Sequence, residues 1–292
     1  MTVTTTSFGT TASVDVDATP AHDDLPPQRG VLHDAWVIAR RGLIHMKRQP
    51  QALADATIQP IMFVLLFAYV FGGAIQVPGG GSYREFLMGG IFAQTIVFIA
   101  MGVGMSIAFD RTNKAVDRFR ALPISQGAVL GGHAIANLVK SLLPITLMSL
   151  CGLIIGWRIR SGLADAVVGY ALLIGFALAM IWVGVLLGSV VSTPEAVQGV
   201  GFVAMFPITF IASTFVPTES MPGVLRTIAE WNPVTTLSNA VRIQFGNPAA
   251  APKPGDPWSI AHPLAYSVIW MVVIVALCAP LAMRAYRRSI AD

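Results

Sequence analysis

Chemistry needs side chains that can transfer protons, hold metals, attack bonds or pair charge. This chain of 292 residues is sparing with them, having 15 Asp and Glu, 19 Lys and Arg, five His and two Cys. The histidines (His22, His33, His45, His133 and His262) are scattered, so neither a metal set nor an acid–base pair is spelled out. No HExxH, GxSxG or CxxC occurs, and there is no GxxxxGK[ST] loop to cradle a phosphate; Gly79-Gly80-Gly81 reads as a flexible turn. Cys151 and Cys278 both lie in apolar runs and read as small hydrophobes. Asp55, Asp165 and Glu195 stand at the ends of apolar runs, leaving the interiors without the carboxylates that ion coupling in a membrane requires. Lys140 sits about one turn inside such a run with His133 and Asn137 on the same helical face, and its stem is long enough to snorkel to a boundary. The densest charge is basic. Arg111, Lys114, Arg118 and Arg120 punctuate FDRTNKAVDRFRALPIS (Phe109–Ser125), with an apolar edge of Val116, Phe119 and Leu122, which reads either as a docking surface or as a solvated loop that sets topology.

The elements that must carry these residues are written in the composition. The chain is 54% apolar and 12% charged with a mean hydropathy of +0.67, whereas a soluble domain carries roughly 25% charged residues. The apolar residues gather into runs near the ~20 residues that a bilayer span requires. Six spans are expected, near 57–75, 86–109, 134–156, 163–191, 196–216 and 264–283. Residues 1–30, rich in Thr, Asp and Pro, read as a disordered tail. Leu32, Trp36, Ala39, Leu43 and Met46 recur at helical spacing beside Arg40, Arg41, Lys47 and Arg48, which predicts an amphipathic helix over 31–48 lying in the headgroup plane. Assigned to alternate sides of the six spans, twelve basic residues fall on the side of both termini and six on the other, counting Arg242 among the six. Both termini are therefore expected in the cytoplasm.

Between spans five and six two short helices are expected, one capped by Ser220 with Pro222 in its first turn, the other capped by Asn232 with Pro233 at its first position and running to about Phe245. Their apolar faces (Val224, Leu225, Ile228, Trp231; Val234, Leu237, Val241) suit a hairpin dipping into the outer leaflet, or a helical loop lying on the surface. Thr193-Pro194-Glu195 reads as the start of span five. Gly152-x-x-x-Gly156 and Gly184-x-x-x-Gly188 would permit close helix approach, and Pro60, Pro144, Pro207 and Pro280 would kink their helices. The expected fold is thus an all-α polytopic membrane protein: six transmembrane helices, an N-terminal interfacial helix and a re-entrant helical hairpin before the last span.

This order of elements, with QPIMFVLLFAYVFGG in span one, Arg118-Phe119-Arg120-Ala121-Leu122-Pro123-Ile124-Ser125 after span two, and FVPTESMPGVLRTIAEWNPVT after span five, resembles the type-2 ABC exporter permeases from about Trp36 to Arg288. The resemblance implies a type-2 ABC transmembrane domain over 31–292. It would be a transport subunit with no cofactor and no nucleotide site of its own, ATP and Mg being held by cytoplasmic ABC ATPase subunits in two copies. A second permease subunit, identical or paralogous, would face it in the plasma membrane among lipids, without nucleic acid. It further implies ATPase coupling through Arg40 and Arg41 on the interfacial helix and through Arg111, Lys114, Arg118, Phe119, Arg120, Leu122 and Pro123 on the loop. The extracellular gate would be formed by Pro217, Glu219, Pro222, Trp231, Asn232 and Pro233. Spans one, two and five would line the path, with Phe63, Phe67, Gln94, Phe98, Phe206 and Phe210 as candidate lining. One departure is that many members carry two close glutamates before the coupling helix, where this chain has Asp110-Arg111-Thr112.

The expected cargo is an amphipathic, largely apolar compound such as an antibiotic or lipid. A glycolipid or cell-wall polymer is the alternative, for which stacked aromatics along the path would be expected where these spans show isolated ones. An ion-coupled carrier is a third reading.

Overall fold

The computed structural model describes residues 50–77, 80–112, 126–249 and 252–291. The tail, the interfacial helix with Arg40 and Arg41, and Lys114, Arg118, Phe119, Arg120, Leu122 and Pro123 lie outside them. The described residues form helices α1 (Pro50–Val70), α2 (Tyr83–Thr112), α3 (Gln126–Ile155), α4 (Leu163–Val190) and α5 (Pro194–Phe210). A 3-10 turn at Thr218–Ser220 precedes α6 (Gly223–Trp231), α7 (Pro233–Gln244), α8 (Trp258–Ala261) and α9 (Pro263–Ala291), and no strand occurs among them. Four helices are long and apolar enough to cross a membrane: α2, α3 over Ala134–Ile155, α4, and α9 over Pro263–Ala285. In α1 the apolar stretch is the shorter Pro60–Val70, and α5 has 17 residues.

Helix α4 is the central post. Its most extensive pairings are with α2 on one side and α9 on the other, and α3 and α7 also pack on it. The α2–α4 contact follows from small residues. A Cβ on Gly184 would overlap the Ala100 carbonyl and one on Gly188 would overlap Gly104, so Gly184-x-x-x-Gly188 meets Ala100-x-x-x-Gly104 backbone to backbone. Gly152-x-x-x-Gly156 has a different use. Gly156 adopts φ +101° beyond the last turn of α3, with Trp157 N–H donating to Gly152 O (2.9 Å) and Gly156 N–H to Leu153 O (3.4 Å), a helix stop in which Gly152 packs closely on Met88 and Trp157. The four prolines lie within helices that continue through them.

The helix expected as the fifth span ends early. α5 stops at Phe210, and Ile211–Val216 is irregular where the sequence predicts helix to 216. The reason is lateral hydrogen bonding that replaces the helical ladder: Thr235 Oγ1 accepts from Ser213 N–H (2.9 Å) and Asn232 Nδ2 donates to Ile208 O (2.7 Å). Helix α3 begins at Gln126, before the expected Ala134, but its membrane-crossing stretch is Ala134–Ile155, so Lys140 lies about 9 Å inside that stretch, near its start as expected. Lys140 is half-buried, within electrostatic reach of Asp110 on α2.

Candidate functional site

The helical hairpin α6–α7 and the helices it covers bring together most of the described candidate residues. Asn232 caps α7, its Oδ1 accepting from Val234 N–H (2.8 Å), with Pro233 first in the helix, as its sequence predicts. The Ser220 cap does not form. Pro222 stands before α6 without a side-chain hydrogen bond, and the Ser220 hydroxyl turns back to donate to Pro217 O (2.7 Å) within the 3-10 turn. Glu219 is held by Lys253, 2.6 Å away on the loop leading to α8, and Pro217 is buried. Trp231 is half-exposed and meets Tyr266 of α9 edge-on at 5.8 Å.

The two arms of the hairpin differ. In α7 Val234, Leu237 and Val241 are buried at 1% exposure or less, whereas in α6 Val224 and Ile228 are 77% and 51% exposed. The sequence treats these faces as equivalent. Packing separates them, because α7 lies against α2, α4 and α9 while α6 contacts chiefly α7 and the preceding turn.

Arg242 was counted among the loop charges, yet it has no exposed surface. Its Nε donates to Phe86 O (2.7 Å), Nη1 to Ser213 Oγ and Asn239 Oδ1 (both 3.0 Å), and Nη2 to Ser213 O (2.7 Å) and Thr214 O (3.5 Å). The guanidinium lies over the Phe86 ring, 3.6 Å from its centre. Gly89 and Gly90 make this approach feasible, since a Cβ on the first would press on Arg242 and one on the second would overlap Thr214. The signal for this burial is the polar but nearly uncharged helix PVTTLSNAVRIQ, whose Thr235, Thr236, Ser238 and Asn239 are buried on every side.

The loop from α3 to α4 is fastened to the same assembly. Trp157 Nε1 donates to Asn247 Oδ1 (2.6 Å), Asn247 Nδ2 to Arg158 O (2.8 Å), Ser161 Oγ to Gln244 O, and Arg84 Nη1 to Ile155 O (3.0 Å). Arg160 pairs with Glu85 in the first turn of α2 at 2.8 Å; the hydrogen bond and the charge of Glu85 hold the Arg160 guanidinium above its ordinary range.

Four of the six candidate lining residues meet. Phe63, Phe67, Phe206 and Phe210 join Phe71 and Phe215 in one aromatic body between α1 and the end of α5. Phe67 and Phe215 stack at 4.1 Å, as do Phe206 and Phe210, and Phe210 lies 5.2 Å from Phe215. The aromatics are thus gathered rather than isolated. Phe206 and Phe71 are 44% and 38% exposed, and Met62, Leu66, Val203 and Ile208 on the same two helices are exposed as well. Phe98 pairs instead with Phe202 (6.0 Å), and Gln94 is buried within α2, closed off from any open surface.

At the opposite end of α2, Arg111 is the described member of the coupling set. Its Nη1 reaches Gly188 O, Ser189 O and Val191 O at 3.0–3.2 Å, satisfying carbonyls left unpaired where α4 ends.

The sequence model of the ABC-2 type transporter family matches residues 33–245. The chain belongs to that family. It is 31% identical over 249 residues to the daunorubicin resistance ABC transporter permease protein DrrB1 of Streptomyces coeruleorubidus, covering 85% of this chain and 84% of that one. It is 24% identical over 251 residues to the probable doxorubicin resistance ABC transporter permease protein DrrC of Mycobacterium tuberculosis (85% and 86%), and 23% identical over 219 residues to the putative transport permease ycf38 of Cyanophora paradoxa (74% and 75%). This ABC-2 permease is accordingly a multi-pass membrane protein.

Proposed function

We propose that this ABC-2 permease is the membrane subunit of an ATP-driven exporter for an amphipathic, largely apolar compound, a drug-like molecule or a lipid, energised by separate cytoplasmic ATPase subunits. The observation that carries the cargo class is the phenylalanine body between α1 and α5, of which Phe71 and Phe206 are partly exposed. Stacked rings are the mark expected of a glycolipid path, but the rings gathered here are all phenylalanine, which offers area and ring geometry and no hydrogen-bond donor or acceptor for a sugar's hydroxyls, so they suit apolar and aromatic surface better. The relatives named for daunorubicin and doxorubicin resistance support the same class. The six spans, cytoplasmic termini, paired permeases and coupling through residues 31–48 and 111–125 are part of this proposal. Nucleotide-driven closure of the ATPases would act on the loop after α2 and switch the paired permeases between inward- and outward-facing arrangements.

The test is ATPase stimulation of the purified complex across lipids, hydrophobic drugs and oligosaccharide-bearing lipids. Hydrophobic aromatic compounds are expected to stimulate, and Phe67→Ala or Phe210→Ala is expected to raise the half-stimulating concentration roughly three- to tenfold, about the worth of one aromatic pair. Stimulation by the sugar-bearing lipids alone, indifferent to both substitutions, would overturn the cargo assignment in favour of the glycolipid reading.

A further inference from the structure

We infer that Arg242 is a positioning residue that makes the hairpin, the first turns of α2 and the end of α5 move as one body, so that the gate is driven through α2 rather than opening by itself. The inference rests on the export reading above. A single side chain from α7 reaches two other elements, Phe86 on α2 and Ser213–Thr214 beyond α5, through hydrogen bonds of 2.7–3.5 Å, and it is wholly enclosed. Its partners among the described residues are neutral, three of them backbone carbonyls. Separating hairpin from α2 while the site stays dry would strand a charge and its acceptors together, a cost no new pairing in the site offsets. At Gly89 and Gly90 helix α2 comes directly against Arg242 and the Thr214 backbone, with no room for a Cβ. Tyr83 Oη donating to Phe215 O (2.9 Å) and Ser213 N–H donating to Thr235 Oγ1 bind the same three elements by independent routes. Helix α2 runs unbroken for 30 residues, and about 38 Å of it separates Phe86 at this pin from Arg111 beside the loop proposed to meet the ATPase. Arg242 thus stands at one end of a lever whose other end would be pushed by the ATPase.

The test places spin labels at Ser82→Cys, just before α2, and Thr227→Cys on α6, in a chain with Cys151→Ala and Cys278→Ala, diluted with unlabelled chain and assembled with its ATPase in lipid. In the otherwise unchanged chain the label separation is expected to be the same without nucleotide and with ATP trapped. A shift larger than the width of the distribution would show the hairpin moving independently and overturn the inference. With Arg242→Gln the distribution is expected to broaden, and transport of a rhodamine dye per ATP hydrolysed to fall about fivefold, while Arg242→Lys, which keeps the charge but lacks the planar fork, falls about twofold. A transport-to-hydrolysis ratio unchanged in both variants would also overturn it, and a purely structural role would lower transport and hydrolysis together. If Arg242→Gln does not assemble, the unsubstituted label pair and Arg242→Lys still decide. Failure of the export reading is distinct: the unsubstituted complex would hydrolyse ATP yet move no dye, while the label separations still report on the pin.

Discussion

Gly188 shows how much can depend on a missing methyl. Its Cα lies against the Gly104 backbone, so alanine there must push α2 and α4 apart, whereas Gly199 on α5 faces open space. Gly188→Ala is expected to destabilise the protein by about 1–3 kcal/mol and lower the thermal midpoint in detergent, while Gly199→Ala leaves it unchanged or slightly raised. Equal midpoints for the two variants would contradict the packing. At this scale the sequence was readable where chemistry is local. Thr193 caps α5, accepting from Ala196 N–H at 3.2 Å, and Asn232 caps α7, because a cap and its donors lie within three residues. Arg242 was not readable, since its acceptors lie 156 and 29 residues away. Ser220 misled because Pro217 and Pro222 on either side hold the chain in a tighter turn, where the hydroxyl finds a carbonyl behind it.

The two short helices before the last span share a sequence style and differ in what they touch. The α7 arm is core and the α6 arm presents Val224, Leu225, Ile228 and Trp231 outward, with Arg226 and Glu230 paired at 2.6 Å along it. Leu237→Ser should therefore cost roughly 2–5 kcal/mol and deplete assembled protein, whereas Leu225→Ser should leave the thermal midpoint within about a degree or two. Comparable losses from both substitutions, read by fluorescence-detected size exclusion during heating, would mean that the arms share one environment. Periodicity showed that each helix has an apolar face and was silent on what covers it. The phenylalanine body was hidden for the same reason: its rings come from α1 and the end of α5, well over a hundred residues apart, and no spacing rule connects them.

For the molecule as a whole, the two ends of α2 are built differently. One end is a plate of interlocked loops around Glu85, Trp157, Asn247 and Arg242; at the other, Arg111 ties α2 to the end of α4. The proposed division of labour makes hydrolysis a property of the partner. Purified alone in lipid, this chain is expected to hydrolyse no ATP, and with the ATPase to co-elute as two permeases and two ATPases, checked by native mass spectrometry; hydrolysis by the permease alone would refute the assignment. The run of apolar stretches made the helical class plain from composition, because a lipid solvent demands it. The length of α5 departed from expectation because polar contacts with the hairpin, rather than hydropathy, decide where it stops.

The phenylalanine-bearing segments have a further consequence. From Pro60 to Val77 and from Ala196 to Val216 there is no Asp, Glu, Lys, Arg or His. Membrane voltage does work only on charge displaced through it, about 2.3 kcal/mol per elementary charge per 100 mV. These two segments therefore feel almost no force from the membrane potential, whichever way they move. On the export reading proposed above, a collapse of that potential would leave the movement of these two segments untouched.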